Sequence, residues 1–108
     1  MDIKVNGKKL ILKKVPLKLM KEYFSLISEM ENIQDLGDTV EGGMALMDTL
    51  EKVQKFLPKV YKLTNEETEE YDMNHTVMAF NAVQILLQEQ QQKMQNEMKE
   101  YVESFQKN

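Results

Sequence analysis

The chain has 108 residues, of which 42% are hydrophobic and 30% are charged, and it contains no cysteine. This length predicts one small domain, because a single core usually takes about 100–150 residues. The lack of cysteine excludes disulfides, thiolate metal ligands and thiol catalysis. No segment approaches the roughly 20 consecutive apolar residues of a membrane span, and the N-terminus does not resemble a signal peptide. We therefore expect a cytoplasmic protein with no membrane partner.

The net charge of −4 combines two regions of opposite sign. Residues 1–21 contain seven lysines and one aspartate, a balance of +6, whereas residues 22–108 contain seven lysines and seventeen acidic residues, a balance of −10. Every basic residue is lysine, although arginine is the side chain that grips guanine edges and phosphates in two places at once. No aromatic residue lies among the N-terminal lysines to stack on bases. These features argue against nucleic-acid binding.

The first 15 residues alternate between apolar and polar side chains and contain Asn6-Gly7, which is typical of a two-residue hairpin turn. A lone hairpin is marginally stable in water, so we expect its apolar face to pack on helices. The register that this turn predicts pairs Val5 with Lys8, Ile3 with Leu10, and Met1 with Leu12.

Helical periodicity predicts helices at about residues 17–31, 44–62, 65–71 and 73–87. Pro58 interrupts the second of these stripes and predicts a kink or a break there. Capping-box spacings are present at Asp38 with Glu41 and at Thr64 with Glu67. The predicted fold class is α+β, mostly α, with an N-terminal β-hairpin packed on a small bundle of about four helices and a long C-terminal helix. Residues 1–87 form the expected domain, and residues 88–108 form a Gln-rich helical C-terminal extension.

The extension carries an apolar pattern of its own. Its large apolar residues recur at spacings of three and four, and the pattern extends backward through Gln91 and Gln84 as a heptad repeat. A helix over residues 73–105 is about 50 Å long, which exceeds the span of a compact domain of this size. The end of this helix therefore either overhangs and meets a partner, or breaks near Gln90 and packs back. The residues that we expect to bind another protein, here called the apolar stripe, are Leu87, Met94, Met98, Tyr101 and Phe105.

Catalytic and metal-binding patterns are weak. His75 is the only histidine, and the three serines lie far from it in the sequence, so nothing brings together the parts of a triad. Asp72 begins a series that resembles a calcium loop, but Val77 and Val83 stand where glycine and a bidentate glutamate belong. We expect a protein that is not an enzyme and has no cofactor or metal site. A small enzyme that uses His75 remains the weaker alternative.

The order of elements resembles a known family. A start of the form Ile3-Lys4-Val5-Asn6-Gly7-Lys8-Lys9-Leu10, a second strand that ends at Val15-Pro16 and a helix over residues 17–30 come first. A later Leu63-Thr64-Asn65-Glu66-Glu67 then leads through Tyr71-Asp72 into an apolar helix. This arrangement is similar to that of the tail assembly chaperones of long-tailed phages and prophages of Gram-positive bacteria. The resemblance covers residues 1–87 and does not include the Gln-rich end.

The resemblance implies a non-enzymatic role in the bacterial host cytoplasm. A chaperone of this family would bind the long helical tape measure protein and promote assembly of the tail tube around it. The tape measure and tail tube proteins are therefore the expected partners, together with further copies of the chain itself. The alternative is a homo-oligomeric helical structural or regulatory adaptor that has no connection with tails.

Overall fold

The computed structural model describes residues 2–106 and has an α+β, mostly α fold, as the sequence predicts. A two-stranded antiparallel hairpin is followed by three long helices and one short helix. The strands are β1 (Lys4–Val5) and β2 (Lys8–Lys9). The helices are α1 (Leu17–Gln34), α2 (Val40–Val60), α3 (Asn65–Glu69) and α4 (Met73–Gln106).

The hairpin has the predicted turn and register. Asn6 and Gly7 have φ values of 52° and 79°, as a type I′ turn requires at both positions. Val5 pairs with Lys8, and the backbone N–H of Leu10 donates to the carbonyl of Ile3 over 2.8 Å. The predicted partner of Leu12, Met1, lies outside the described residues. The apolar face of the hairpin packs into the core, with Val5 and Leu10 buried.

The segment after β2 pairs with the chain that leaves α2, a contact that the sequence did not predict. Leu12 forms an antiparallel bridge with Tyr61. The N–H of Lys13 donates to the carbonyl of Val60, and the N–H of Lys62 donates to the carbonyl of Ile11, over 2.7 and 2.9 Å. These bonds hold the backbone of Tyr61 in an extended conformation, so α2 ends at Val60 and not at Pro58.

The start of α2 differs from the predicted boundary. The helix begins at Val40, because the Thr39 hydroxyl accepts a hydrogen bond from the N–H of Gly42 and thereby caps the helix. The prediction of a cap at Asp38 and a start at residue 44 was therefore wrong. Pro58 lies inside the last turn, where the helix continues for only two residues beyond it. The expected break at Pro58 is therefore absent: α2 continues through Pro58 and ends at Val60, where the bridge to the hairpin begins.

Aromatic rings at the centre of the domain join the three long helices. Phe80 of α4 lies 5.0 Å from Tyr23 of α1 and 6.2 Å from Phe56 of α2, measured between ring centroids. Contacts of this kind stabilise a core beyond the area that they bury. Two of these helices, α1 and α2, are also joined at the surface, where Lys52 pairs with Glu29 over 3.1 Å. The N-terminal half of α4 is thus covered by α1 and α2.

Tyr61 connects the end of α2 to α4 through a buried hydrogen bond. Its hydroxyl donates to the carbonyl of Ala79 over 2.7 Å, and the side chain has no exposed surface. Burial, with smaller effects from Tyr23 and Tyr71, raises the pKa of Tyr61 well above its ordinary value. The phenol is therefore protonated and acts as a donor throughout the pH range in which proteins are usually studied.

Replacing Tyr61 with phenylalanine is expected to lower the free energy of unfolding by about 1–2 kcal/mol, because the buried hydrogen bond is lost while the ring remains. Urea denaturation, with an unchanged slope, measures this loss as a lower midpoint. The matched control is Tyr101→Phe, since that hydroxyl is exposed to solvent. Equal midpoints for the two variants would contradict the assigned bond.

The short helix α3 leads into α4 through two caps. Thr64 and Glu67 form the predicted capping box around α3. Lys8 of the hairpin pairs with Glu67 over 2.7 Å, and this contact lowers the pKa of the Glu67 carboxyl. At the start of α4, the carboxylate of Asp72 accepts a hydrogen bond from the N–H of His75 over 2.8 Å. Asp72 thus caps α4.

The helix α4 is continuous for 34 residues. At 1.5 Å per residue it is about 50 Å long, and the molecule measures 65 × 30 × 22 Å along its principal axes. Its radius of gyration, 17.3 Å, exceeds the roughly 13 Å of a compact 100-residue domain. The sequence left open whether the chain breaks near Gln90; the structure has no break there. The C-terminal third of α4 therefore extends beyond the domain.

Candidate functional site

Four side chains of the apolar stripe lie on the part of α4 that extends beyond the domain. Met94 is 57% exposed, Met98 62%, Tyr101 72% and Phe105 74%. Every residue from 91 to 105 is exposed to solvent. We call these four residues the exposed stripe. Apolar side chains of this size, aligned along one helix, are typical of a surface that binds a partner.

The two aromatic residues of the exposed stripe are already ordered against each other. The rings of Tyr101 and Phe105 are stacked, with centroids 6.5 Å apart and an angle of 27° between their planes. Their spacing of one helical turn makes them neighbours on the helix surface. A partner therefore meets two neighbouring aromatic rings on the surface of the helix.

Leu87, the first member of the predicted stripe, has a different environment. It is half-buried and packs against the core cluster. It therefore belongs to the edge of the domain, whereas the residues from Met94 onward have no cover from the described part of the chain. The structure thus divides the predicted site into one core contact and four exposed residues.

The exposed stripe continues the face of α4 that packs on the core. Phe80, Met94 and Tyr101 are separated by multiples of seven residues, and an α-helix drifts by only about 20° per seven residues. Phe80 is covered by α1 and α2, while Met94 and Tyr101 are exposed. The apolar face of α4 therefore packs in the core along the first half of the helix and is exposed to a partner along the second half.

The positions beside the exposed stripe carry little charge. Gln95 and Val102 lie on one flank, and Glu97 and Ser104 lie on the other. The remaining charged residues of this segment, which include Lys99 and Glu103, lie on the opposite side of the helix. The exposed stripe therefore presents an apolar surface with a single charged neighbour.

Sequence patterns did not reveal a second apolar surface. A groove between the N-terminal parts of α2 and α4 is lined by Leu46, Leu50, Met73, Val77 and Met78. On α2, Met44 and Met47 are also exposed. The neighbouring helices α1 and α4 do not cover the full width of the apolar face of α2, so the edge of that face is exposed. The unusual number of methionines, nine in the chain, was the only available signal for this groove.

The side chains considered for catalysis are not assembled into a site. His75 lies at the first turn of α4, where its Nδ1 accepts a 3.4 Å hydrogen bond from the N–H of Asp72. Ser25, Ser28 and Ser104 are all exposed, the first two on α1 and the third near the end of α4. Within residues 2–106, no group of three or more acidic, histidine or cysteine side chains is arranged to hold a metal ion.

Comparisons with known proteins return no match: no protein-family model, curated protein or solved structure is similar to this chain. Among the described helices, none has the length and apolar character needed to cross a membrane. Evidence about function therefore comes from the residues themselves, and above all from the exposed stripe.

Proposed function

We propose that this protein is a non-enzymatic tail assembly chaperone of a long-tailed phage or prophage. It binds the helical tape measure protein in the cytoplasm of the bacterial host and keeps it soluble while tail tube subunits assemble around it. The observation that carries the proposal is the exposed stripe on the overhanging part of α4. The resemblance of residues 1–87 to this family supplies the biological setting.

The shape of the protein supports a helical client. An exposed helix with apolar residues at spacings of three and four packs readily against a second amphipathic helix. The stripe from Met94 to Phe105 covers about three helical turns, so one copy contributes a small contact. Many copies along one long client multiply such weak contacts through avidity.

The first test is co-expression with the long helical protein encoded next to this gene. We expect the chaperone to co-purify with that protein and to increase its soluble fraction. The variant Met98→Gln with Tyr101→Gln removes the centre of the exposed stripe, and we expect it to lose most of the co-purified client. Both residues are exposed and glutamine favours helices, so the domain remains folded.

The matched control is Asn96→Gln with Glu103→Gln, on the other side of the same helix. This variant should retain the client. Equal loss in the two variants would assign the effect to the helix in general, and retention in both would rule out the exposed stripe as the client surface.

The second candidate is a homo-oligomeric structural or regulatory adaptor unrelated to tails. The observation that favours it is the low charge beside the exposed stripe, where Glu97 is the single charged residue, so that a second copy is repelled only weakly. The genes around this one distinguish the two candidates. A tape measure gene immediately downstream supports the chaperone, and its absence supports the adaptor.

A further inference from the structure

We infer that two copies of this chain form an antiparallel homodimer in which their exposed stripes pack against each other. This inference concerns the protein alone, because the dimer requires no client. A client helix that binds the exposed stripe takes the place of the second copy. The second copy lies along residues 94–105 of α4, and its domain lies at the opposite end of the paired segment. The dimer is a closed, twofold symmetric pair, since the same surface is used on both copies.

The position of the domain excludes parallel pairing. Packed helices approach to about 8–10 Å between their axes. Phe80, which α1 and α2 cover, lies about 21 Å before Met94 on the same face of α4. In a parallel pair, the helices that cover Phe80 in each copy would both lie between the two α4 helices at this level. Because each helix layer is about 10 Å thick, the two α4 axes would have to be about 30 Å apart. A continuous helix such as α4 does not bend enough to allow this.

Antiparallel pairing removes the conflict and matches unlike side chains. Facing layers of an antiparallel coiled coil join a first-position residue of the heptad to a fourth-position residue of the other helix. One register places Met98 against Tyr101 of the second copy and Met94 against Phe105 of the second copy. Sulfur and aromatic rings attract each other in such contacts. The exposed stripe, with two methionines followed by two aromatic residues, is thus self-complementary only when the chains run in opposite directions.

The flanking residues also fit this register. Glu97 faces Ser104 of the second copy, and Gln95 faces Val102 of the second copy. The two glutamates at position 97 are therefore apart, and no like charges meet across the interface. Lys99 and Glu103 lie on the outer side of each helix and do not contribute.

The area available sets the expected strength. Stable specific interfaces bury about 1,200–2,000 Å² in total. The exposed stripe and the half-exposed Val102 amount to five side chains per copy, and aromatic residues bury about 150–250 Å² each. Both copies together reach only the lower part of that range. We therefore expect a dissociation constant of about 1–100 μM, typical of a small interface.

Cysteine cross-linking tests the direction of the chains. The protein has no cysteine of its own, so each introduced thiol is unique. Glu97→Cys and Ser104→Cys proteins, one of them with a size tag, are mixed and treated with a short bifunctional maleimide. We expect the mixed product, residue 97 joined to residue 104, and little product from either protein alone. All four residues of the exposed stripe remain in both variants.

Two other products would overturn the inference. In a parallel coiled coil, position 97 lies beside position 102 of the second helix, so a Glu97→Cys and Val102→Cys mixture would give the dominant product. Docking of the stripe into the groove between α2 and α4 of another copy would instead join Ser104→Cys to Met73→Cys. That arrangement is head-to-tail and produces open chains, not a closed dimer.

Sedimentation equilibrium measures the strength of the pair. Met98→Gln with Tyr101→Gln should weaken the dimer at least about 100-fold, because each substitution removes two side chains from a symmetric interface. The control, Lys99→Gln with Glu103→Gln on the outer side, should change the dissociation constant less than about threefold. A monomer at every concentration up to about 1 mM, or equal effects of the two variants, would overturn the inference.

Discussion

Replacing Phe56 with alanine is expected to lower the free energy of unfolding by about 3–5 kcal/mol, which is a large part of the stability of a domain of this size. Phe56 has no exposed surface. Its ring packs 6.3 Å from that of Tyr23 and 6.2 Å from that of Phe80, measured between centroids. Truncation leaves a cavity at the point where α1, α2 and α4 meet, and the three helices cannot all move inward to fill it. Urea denaturation followed by circular dichroism measures the loss.

The control is Phe24→Ala. Phe24 lies on α1, next to Tyr23, and is 60% exposed, so its truncation removes little buried area and should cost less than about 1 kcal/mol. Both substitutions remove the same atoms from the same residue type on a helix. Similar losses for the two variants would show that Phe56 is not at the centre of the core.

The substitutions Gly42→Ala and Gly43→Ala, at adjacent positions, are expected to change the free energy of unfolding in opposite directions. A Cβ atom at Gly42 would lie 2.8 Å from the backbone oxygen of Gly37 and 3.3 Å from the Cβ of Leu36. The backbone before α2 must shift to make room, and the cap that Thr39 forms with Gly42 is disturbed. We expect Gly42→Ala to destabilise the protein by about 1–3 kcal/mol.

At Gly43 a Cβ atom would have no neighbour within 4 Å. Gly43→Ala should therefore stabilise the protein by about 0.5–1 kcal/mol, because alanine favours a helix interior and restricts the unfolded chain. The difference in thermal midpoint between the two single variants measures this contrast. Stabilisation by both substitutions would show that the backbone of Gly37 does not pack closely against Gly42 at the start of α2.

Local signals account for the elements that the sequence predicted well. Asn6-Gly7 specifies its turn, because both residues adopt positive φ, which few residues do at low cost. Thr64 and Glu67 specify the start of α3, because each side chain satisfies a backbone group three residues away. These interactions are complete within a few residues, so they can be recognised without knowledge of the rest of the fold.

The candidate site was predictable for a different reason. Met94, Met98, Tyr101 and Phe105 follow the helical period, and the length of the predicted helix already exceeded a compact domain. The sequence could not decide between an overhanging helix and one that folds back, since Gln88 to Gln92 suits either a helix or a connection. Leu87 was assigned to the same stripe because spacing alone does not distinguish a side chain at the edge of the core from one beyond it.

The sequence by itself determined the hairpin, the number and order of the helices, and the apolar face of α4. Only the tertiary structure decided where those elements end and which parts of that face are covered. The end of α2 depends on the bridge between Leu12 and Tyr61, two residues far apart in the chain. The availability of the exposed stripe depends on how far α1, α2 and the hairpin extend along α4. Both are contacts between distant segments, and periodicity and capping describe only residues that are neighbours in sequence.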